Sequence, residues 1–302
     1  MAYNANFVVM AILPVLRIDQ FDNSTHNADV YANIFSDHIR TYHASITKPH
    51  KHDFYLVVLF TKGLGIHEID FKSYNIQPGS LFILRPGQTH YWELSKDIEG
   101  YIFFHTESFY KSFFPNNTLS NYPIYYSNYN SQQINLSASD LKNYTIRFEQ
   151  LYKEYKGEAW HKLNALSNQI ESIYIDLSRL YIEQEKDKVH VLPKSMNYVR
   201  ELEVLIEANY LTLKKPSQYA NLLNISTKHL NKIVQNSLGK SSSELINNRI
   251  ILEAQRLLTH GQINVKEIAY ELGYEDPSYF TRFFKTNVGV SPTAFADNYT
   301  QD

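Results

Sequence analysis

The chain has 302 residues, 29 Lys and Arg against 31 Asp and Glu, and a formal net charge of −2. Its 43% hydrophobic and 14% aromatic content is that of a globular protein long enough for two domains, without the basic excess that marks many nucleic-acid binders. The absence of cysteine excludes disulfides, zinc-thiolate sites and cysteine nucleophiles, and fits a reducing compartment.

In chain order, the apolar stretch from Phe7 to Leu16 is interrupted by Pro14 and has no basic segment before it. It is too short to span a bilayer and reads as an early strand, so no membrane partner is expected and the default location is the cytoplasm. From Ile39 to His105 short apolar or alternating runs follow: Phe54–Phe60, Gly65–Phe71, Ser80–Arg85, His90–Leu94 and Gly100–His105. Turn residues at Lys62-Gly63, Gln77-Pro78-Gly79 and Arg85-Pro86-Gly87 separate them. Strands at this spacing predict a small sandwich or barrel.

Within that region His50 and His52 form a His-x-His pair, which on a strand directs both imidazoles to one face. His90 on a facing strand could join them. Aromatic faces with a few directed polar groups suit a small polar molecule. The candidate effector pocket is therefore His50, His52, His90 and Trp92, with Lys48 at its mouth. Asn116–Asn135, rich in Asn, Ser and Tyr, reads as an irregular surface connection.

Two helices are expected next, at 139–156 and 159–185. In the second, Leu163, Leu166, Ile170, Ile173, Leu177 and Leu180 recur at alternating intervals of three and four. That spacing suits a coiled-coil seam between two copies, and equally a helix packed on its own barrel. The charged segment Glu183–Ser195, with Pro193, is the natural linker.

The last third nearly repeats itself. Tyr219–Gly239 and Ile268–Gly289 align at an offset of 49 as far as Asn224 and Gly273, and at 50 after one extra turn residue, so that Leu230, Ile233, Val234 and Gly239 match Phe280, Phe283, Phe284 and Gly289. In the second copy Phe280, Phe283, Phe284 and Asn287 share one helical face, and Ser278, Arg282 and Lys285 lie opposite, flanked by Tyr279 and Thr281. The first copy offers Lys228, Lys232 and Gln235 outward, with His229 and Asn231 on the flanks. Asp276-Pro277 and Ser226 or Thr227 suit helix starts, and Gly273 suits a left-handed turn. Two helix-turn-helix units are the simplest reading, with basic and amide side chains placed for base edges or phosphates in a major groove. Charge adds little, since residues 194–302 hold 12 Lys and Arg against 11 Asp and Glu. A shallow salt dependence of DNA binding is expected.

Residues Arg249–Phe295, with Ala254 and Leu257 on a connecting helix, IAYELGY, YFTRFFK and a closing GVSP, resemble the DNA-binding domain of AraC/XylS-family transcription regulators. The resemblance implies two helix-turn-helix units joined by a helix over about 243–259. It assigns Lys228, His229, Asn231 and Lys232 to the first reading set and Ser278, Tyr279, Thr281 and Arg282 to the second, with Lys285 and Lys240 suited to phosphates. PGSLFILRPGQTHYWEL is similar to the second motif of cupin barrels, and His50, His52 and His90 stand where cupin enzymes place metal ligands. The glutamate that such a motif carries beyond the pair is absent from Asp53–Val57, so neither metal nor cofactor is expected.

The resulting expectation is an α+β chain of two domains. A cupin-like barrel occupies 1–138, a helical dimerisation segment 139–186, a linker 187–196 and an all-α DNA-binding domain 197–302. Expected partners are promoter DNA, a small polar effector such as a sugar, a second copy of the chain and RNA polymerase. The function implied is an effector-controlled regulator, with activation preferred over repression and no catalytic residues. A metal-dependent cupin enzyme and a ligand-independent DNA-binding dimer are the rival readings.

Overall fold

The computed structural model describes residues 14–21, 29–46, 49–125, 131–184, 193–259 and 264–300. Lys48 and residues 7–13 of the expected first strand lie outside the described residues. Two compact units divide the chain near residue 186.

The N-terminal unit contains β1 (Val15–Leu16), β2 (Val30–Ile34), α1 (Phe35–Ile46), β3 (Lys51–His52), β4 (Tyr55–Lys62), β5 (Gly65–Ile69), β6 (Lys72–Ile76), β7 (Ser80–Leu84), β8 (His90–Leu94), β9 (Glu99–His105), α2 (Glu107–Phe113), β10 (Gln133–Asn135), α3 (Ala138–Lys156) and α4 (Lys162–Gln184). The order β10-β7-β4-β9-β2 makes a five-stranded sheet, β6-β5-β8 a three-stranded one, and β1 pairs in parallel with β3. Among the described residues the strands therefore form separate sheets, an open sandwich, which is one of the two arrangements expected from the strand spacing.

Central strand β4 is apolar at every position from Leu56 to Phe60 because both of its faces are covered. The face carrying Phe60, Phe82 and Phe104 looks toward the three-stranded sheet, with the Phe82 and His67 rings 4.6 Å apart. The opposite face carries Phe103 and His105 against the helical hairpin: Phe103 lies 5.5 Å from Phe148 of α3, and His105 Nε2 is 2.8 Å from the Tyr174 hydroxyl of α4.

Three expectations change here. Leu166, Ile170, Ile173 and Leu177 are buried in this unit's own core, where Leu180 also packs, while Leu163 is 37% exposed. The seam is thus spent on its own sheet, whose apolar back face needs cover, and does not face a second copy. Residues Ile39–Ile46 belong to a helical segment that starts at Phe35 and kinks at Tyr42, where strand structure was expected; Phe35 and His38 share its inner face, and the Tyr42 ring packs against His38. In the segment read as a surface connection, Leu119, Tyr122, Ile124 and Tyr125 are buried, and β10 extends the edge of the five-stranded sheet.

The C-terminal unit is α5 (Pro193–Asn209), α6 (Pro216–Leu222), α7 (Thr227–Leu238), α8 (Ser242–Thr259), α9 (Val265–Glu271), α10 (Pro277–Val288) and α11 (Pro292–Thr300). Helix α5 begins inside the expected linker, at Pro193, a residue tolerated in a first turn because its missing N–H would be unpaired there anyway. Repetition in sequence becomes repetition in hydrogen bonds. Ile225 N–H donates to Ala220 O at 3.0 Å, and Tyr274 N–H to Ala269 O at 2.9 Å, each closing a turn through one left-handed residue, Asn224 at φ 54° and Gly273 at φ 76°. Ser226 and Asp276 then accept backbone N–H groups at the starts of α7 and α10. Both of those helices end on a left-handed glycine, Gly239 or Gly289. Arg249 of α8 ties in α5, donating to both Glu207 oxygens at 2.6 and 2.8 Å and lying 3.9 Å over the Tyr210 ring.

Candidate functional sites: a histidine interior and a paired DNA interface

Between the two sheets four histidines from three elements meet, His50 and His52 at β3, His67 of β5 and His90 of β8, and His38 of α1 lies nearby against Phe35 and Phe104, none of the five more than 2% exposed. His90 is the hub, its ring centroid 4.4 Å from His50, 5.0 Å from His52, 5.2 Å from His67 and 4.7 Å from Trp92. Of the five expected pocket residues, His50, His52, His90 and Trp92 come together. His67 joins them, with His38 nearby, and both escaped the sequence reading. In β5 the signal was the strand's alternation: Ile66 and Glu68 point out and Ile69 points in, which places His67 inward with Ile69.

Burial pulls His38 and His52 down to about 3, with the charge of His50 adding to it, and holds His67 and His90 well below the usual imidazole range for the same reasons. All four are therefore neutral at pH 7, and each carries one donor and one acceptor nitrogen. His52 Nδ1 lies 2.8 Å from Phe54 O. A carbonyl only accepts, so Nδ1 holds the proton and Nε2 is left as a lone pair. His67 Nε2 and His90 Nδ1 share one proton across 3.1 Å. Whichever ring holds it, the outer nitrogens of this pair, His67 Nδ1 and His90 Nε2, are opposite in character.

Five buried polar atoms here have no hydrogen-bond partner among the described residues: His52 Nε2, His67 Nδ1, Thr89 Oγ1, His90 Nε2 and Trp92 Nε1. Leaving such a group unmade costs about 1–3 kcal/mol each. Among the described residues no three His, Asp or Glu side chains stand in metal-binding geometry. The imidazoles are turned toward one another and toward backbone instead.

The second site is the outer face of α7 and α10. Lys228, His229, Lys232 and Gln235 are exposed on α7, and Ser278, Tyr279, Arg282 and Lys285 on α10. Two of the expected reading residues are turned toward their own scaffold. Asn231 is half-buried and its Oδ1 accepts from Ser242 N–H at 3.2 Å, holding the start of α8. Thr281 is half-buried and donates to Pro277 O at 2.9 Å. On the inner face Phe280 and Phe284 are buried as expected, while Phe283 is half-buried and Asn287 is exposed, its amide bonded to Phe283 O.

A repeated helix-turn-helix, on a chain whose other unit is a separate β-sandwich backed by helices, has the layout of a DNA-binding regulator. Residues 37–187 match the AraC-like ligand binding domain and residues 219–298 a helix-turn-helix domain. The chain belongs to the AraC family of transcription regulators. It is 24% identical over 263 residues to the HTH-type transcriptional regulator YfiF of Bacillus subtilis, covering 83% of this chain and 79% of that one. To the transcriptional activator RhaS of Escherichia coli O81 it is 21% identical over 251 residues, 80% of this chain and 85% of the relative. A crystal structure of ToxT from Vibrio cholerae aligns over 90% of this chain and 99% of its own at 16% identity, with a TM-score of 0.43. Among the described residues no helix is long and apolar enough to cross a membrane.

Proposed function

We propose that the histidine interior is the effector site, and that its effector is a small neutral molecule bearing hydroxyl groups, a sugar or polyol. The five unmatched buried atoms carry this reading. Trp92 needs an acceptor, His52 Nε2 needs a donor, and the His67–His90 pair offers one of each. A hydroxyl both donates and accepts, whereas a carboxylate only accepts and an ammonium only donates. Binding spreads the edge-packed rings, and an effector that prefers the spread arrangement shifts the population toward it. The site binds and does not catalyse. Thermal unfolding of the full-length protein against sugars and polyols, simple carboxylates and amines tests this. Stabilisation by a hydroxylated ligand, lost in His52→Phe, is expected; stabilisation confined to carboxylates or amines would sink it.

A second reading, a scaffold that takes no ligand, is favoured by the ring-to-ring contacts that already fill much of this interior. DNA binding indifferent to every ligand that stabilises the protein would select it.

The outward residues of α7 and α10 are the proposed contacts to promoter DNA, with Arg282 reading a base and Lys285 a phosphate. Arg282→Ala is expected to weaken binding to a selected site by about 1–3 kcal/mol and to relax preference at one position, as loss of a bidentate contact does. Gel-shift titrations on selected and random duplexes check it, and equal losses on both would make Arg282 a phosphate contact. Pairing with a second copy, activation through RNA polymerase and a cytoplasmic location belong to the same proposal.

A further inference from the structure

Helix α8 touches helices of both helix-turn-helix units, but a single shared helix leaves bending and twisting free. A second connection adjoins it at Tyr210. The segment after α5 runs against the turn of the second unit. There a Cβ at position 273 would stand 2.0 Å from the Leu211 carbonyl oxygen, so the backbones touch and only glycine fits. Beside that contact the Lys214 ammonium donates to Tyr210 O at 2.5 Å and to Leu272 O at 2.6 Å, with its Nζ 5.0 Å over the Tyr274 ring. Tyr210 follows the end of α5, and Leu272 is the cap residue of α9. One cation thus satisfies a terminal carbonyl from each half of the domain, and cations are favoured at both helix ends.

We propose that Lys214 is the positioning residue that fixes the two recognition helices relative to one another, and so sets the spacing of DNA elements the chain accepts. It need not touch DNA. Burial lowers its pKa to about 8, which leaves it chiefly protonated at pH 7 and able to hold both carbonyls. With three donors on one nitrogen it can serve both at once, which an apolar replacement of the same length cannot.

The chain has no cysteine, so Asn236→Cys with Thr286→Cys introduces two unique spin-label sites. Both are exposed, at equivalent positions of α7 and α10. Pulsed electron resonance on the full-length protein is expected to give one narrow interspin distance with Lys214 and a markedly broader distribution in Lys214→Met. An unchanged width in a variant with full helical signal overturns the proposal. Should Lys214→Met lose helix, Lys214→Gln takes its place, since its amide reaches one carbonyl only. The measurement needs no DNA.

A second readout uses a site selected from random duplexes. Inserting one base pair between its two contacted elements turns them by about 35° and moves them by about 3.4 Å. Wild type is expected to lose roughly tenfold in affinity, a loss of the size of one mismatch, and Lys214→Met far less. Equal losses in the two proteins would show that Lys214 contributes stability and not spacing.

Discussion

Between pH 7.5 and 5.5 the N-terminal unit is expected to lose stability while the C-terminal helices persist. His38 and His52 are drawn down to about 3, His105 to about 4, and His67 and His90 well below the ordinary range, chiefly by burial. In the unfolded chain each returns to about 6.5. Above that value neither state is protonated and the shift has no effect on stability. As pH falls below it, the unfolded chain takes up protons that the folded one refuses, and stability falls. At pH 5.5 this amounts to about 1.4 kcal/mol per histidine and roughly 7 kcal/mol for the five, within the 5–15 kcal/mol that holds a domain together.

What surrounds these rings offers little relief. His38 meets the Tyr31 hydroxyl, His105 the Tyr174 hydroxyl, and Asp70 is engaged by Gln88 and the Thr89 amide. Urea midpoints read from Trp92 fluorescence in a Trp160→Phe background check the prediction, because Trp92 lies in the cluster and Trp160 is 88% exposed. A midpoint that stays level from pH 7.5 to 5.5 would show that the interior tolerates charge.

Ile173→Asp is expected to abolish the folded N-terminal unit, not to yield a folded monomer. Ile173 is 1% exposed and sits in the same core as Leu166, Ile170 and Leu177. The substitution removes a packed side chain, about 2–5 kcal/mol by analogy with large-to-small changes, and places a carboxylate where no partner meets it, which costs several more. Two residues on, Ile175 is 36% exposed, and Ile175→Asp is expected to leave the fold intact. Circular dichroism with sedimentation velocity separates the cases. A folded Ile173→Asp chain of halved mass would restore the seam as an interface, whereas a halved mass for folded Ile175→Asp would place pairing on the outer face of the hairpin.

The seam also shows where sequence reading stops. Leucines and isoleucines at intervals of three and four look the same whether they face a second helix or a sheet. The open choice closed only because the Phe103 face of the sheet requires cover. Helix α1 was missed for a related reason, since its inner residues include a histidine and a tyrosine that weaken the apolar period. The caps and turns of the two helix-turn-helix units, by contrast, were legible in the sequence. Their information is local: capping side chains, a left-handed turn and an aromatic face, stated twice. The scaffold bonds of Asn231 and Thr281 were not legible, because helical spacing gives direction around the axis but not what a nearby backbone group demands. The histidine interior was half legible, its members being scattered over 53 residues and joined by sheet register and, for His38, by a helix packed on the sheet.

The two helix-turn-helix units share a backbone plan but not their outer side chains. Where α7 carries Lys228, His229 and Gln235, α10 carries Ser278, Tyr279 and Lys285. A reader whose two ends differ has a heading. On the contacts proposed above, its binding site lacks twofold symmetry, so one chain on a duplex faces a definite way, and inverting the site turns the protein around. The orientation of the bound chain relative to the gene it serves is then encoded in the DNA itself.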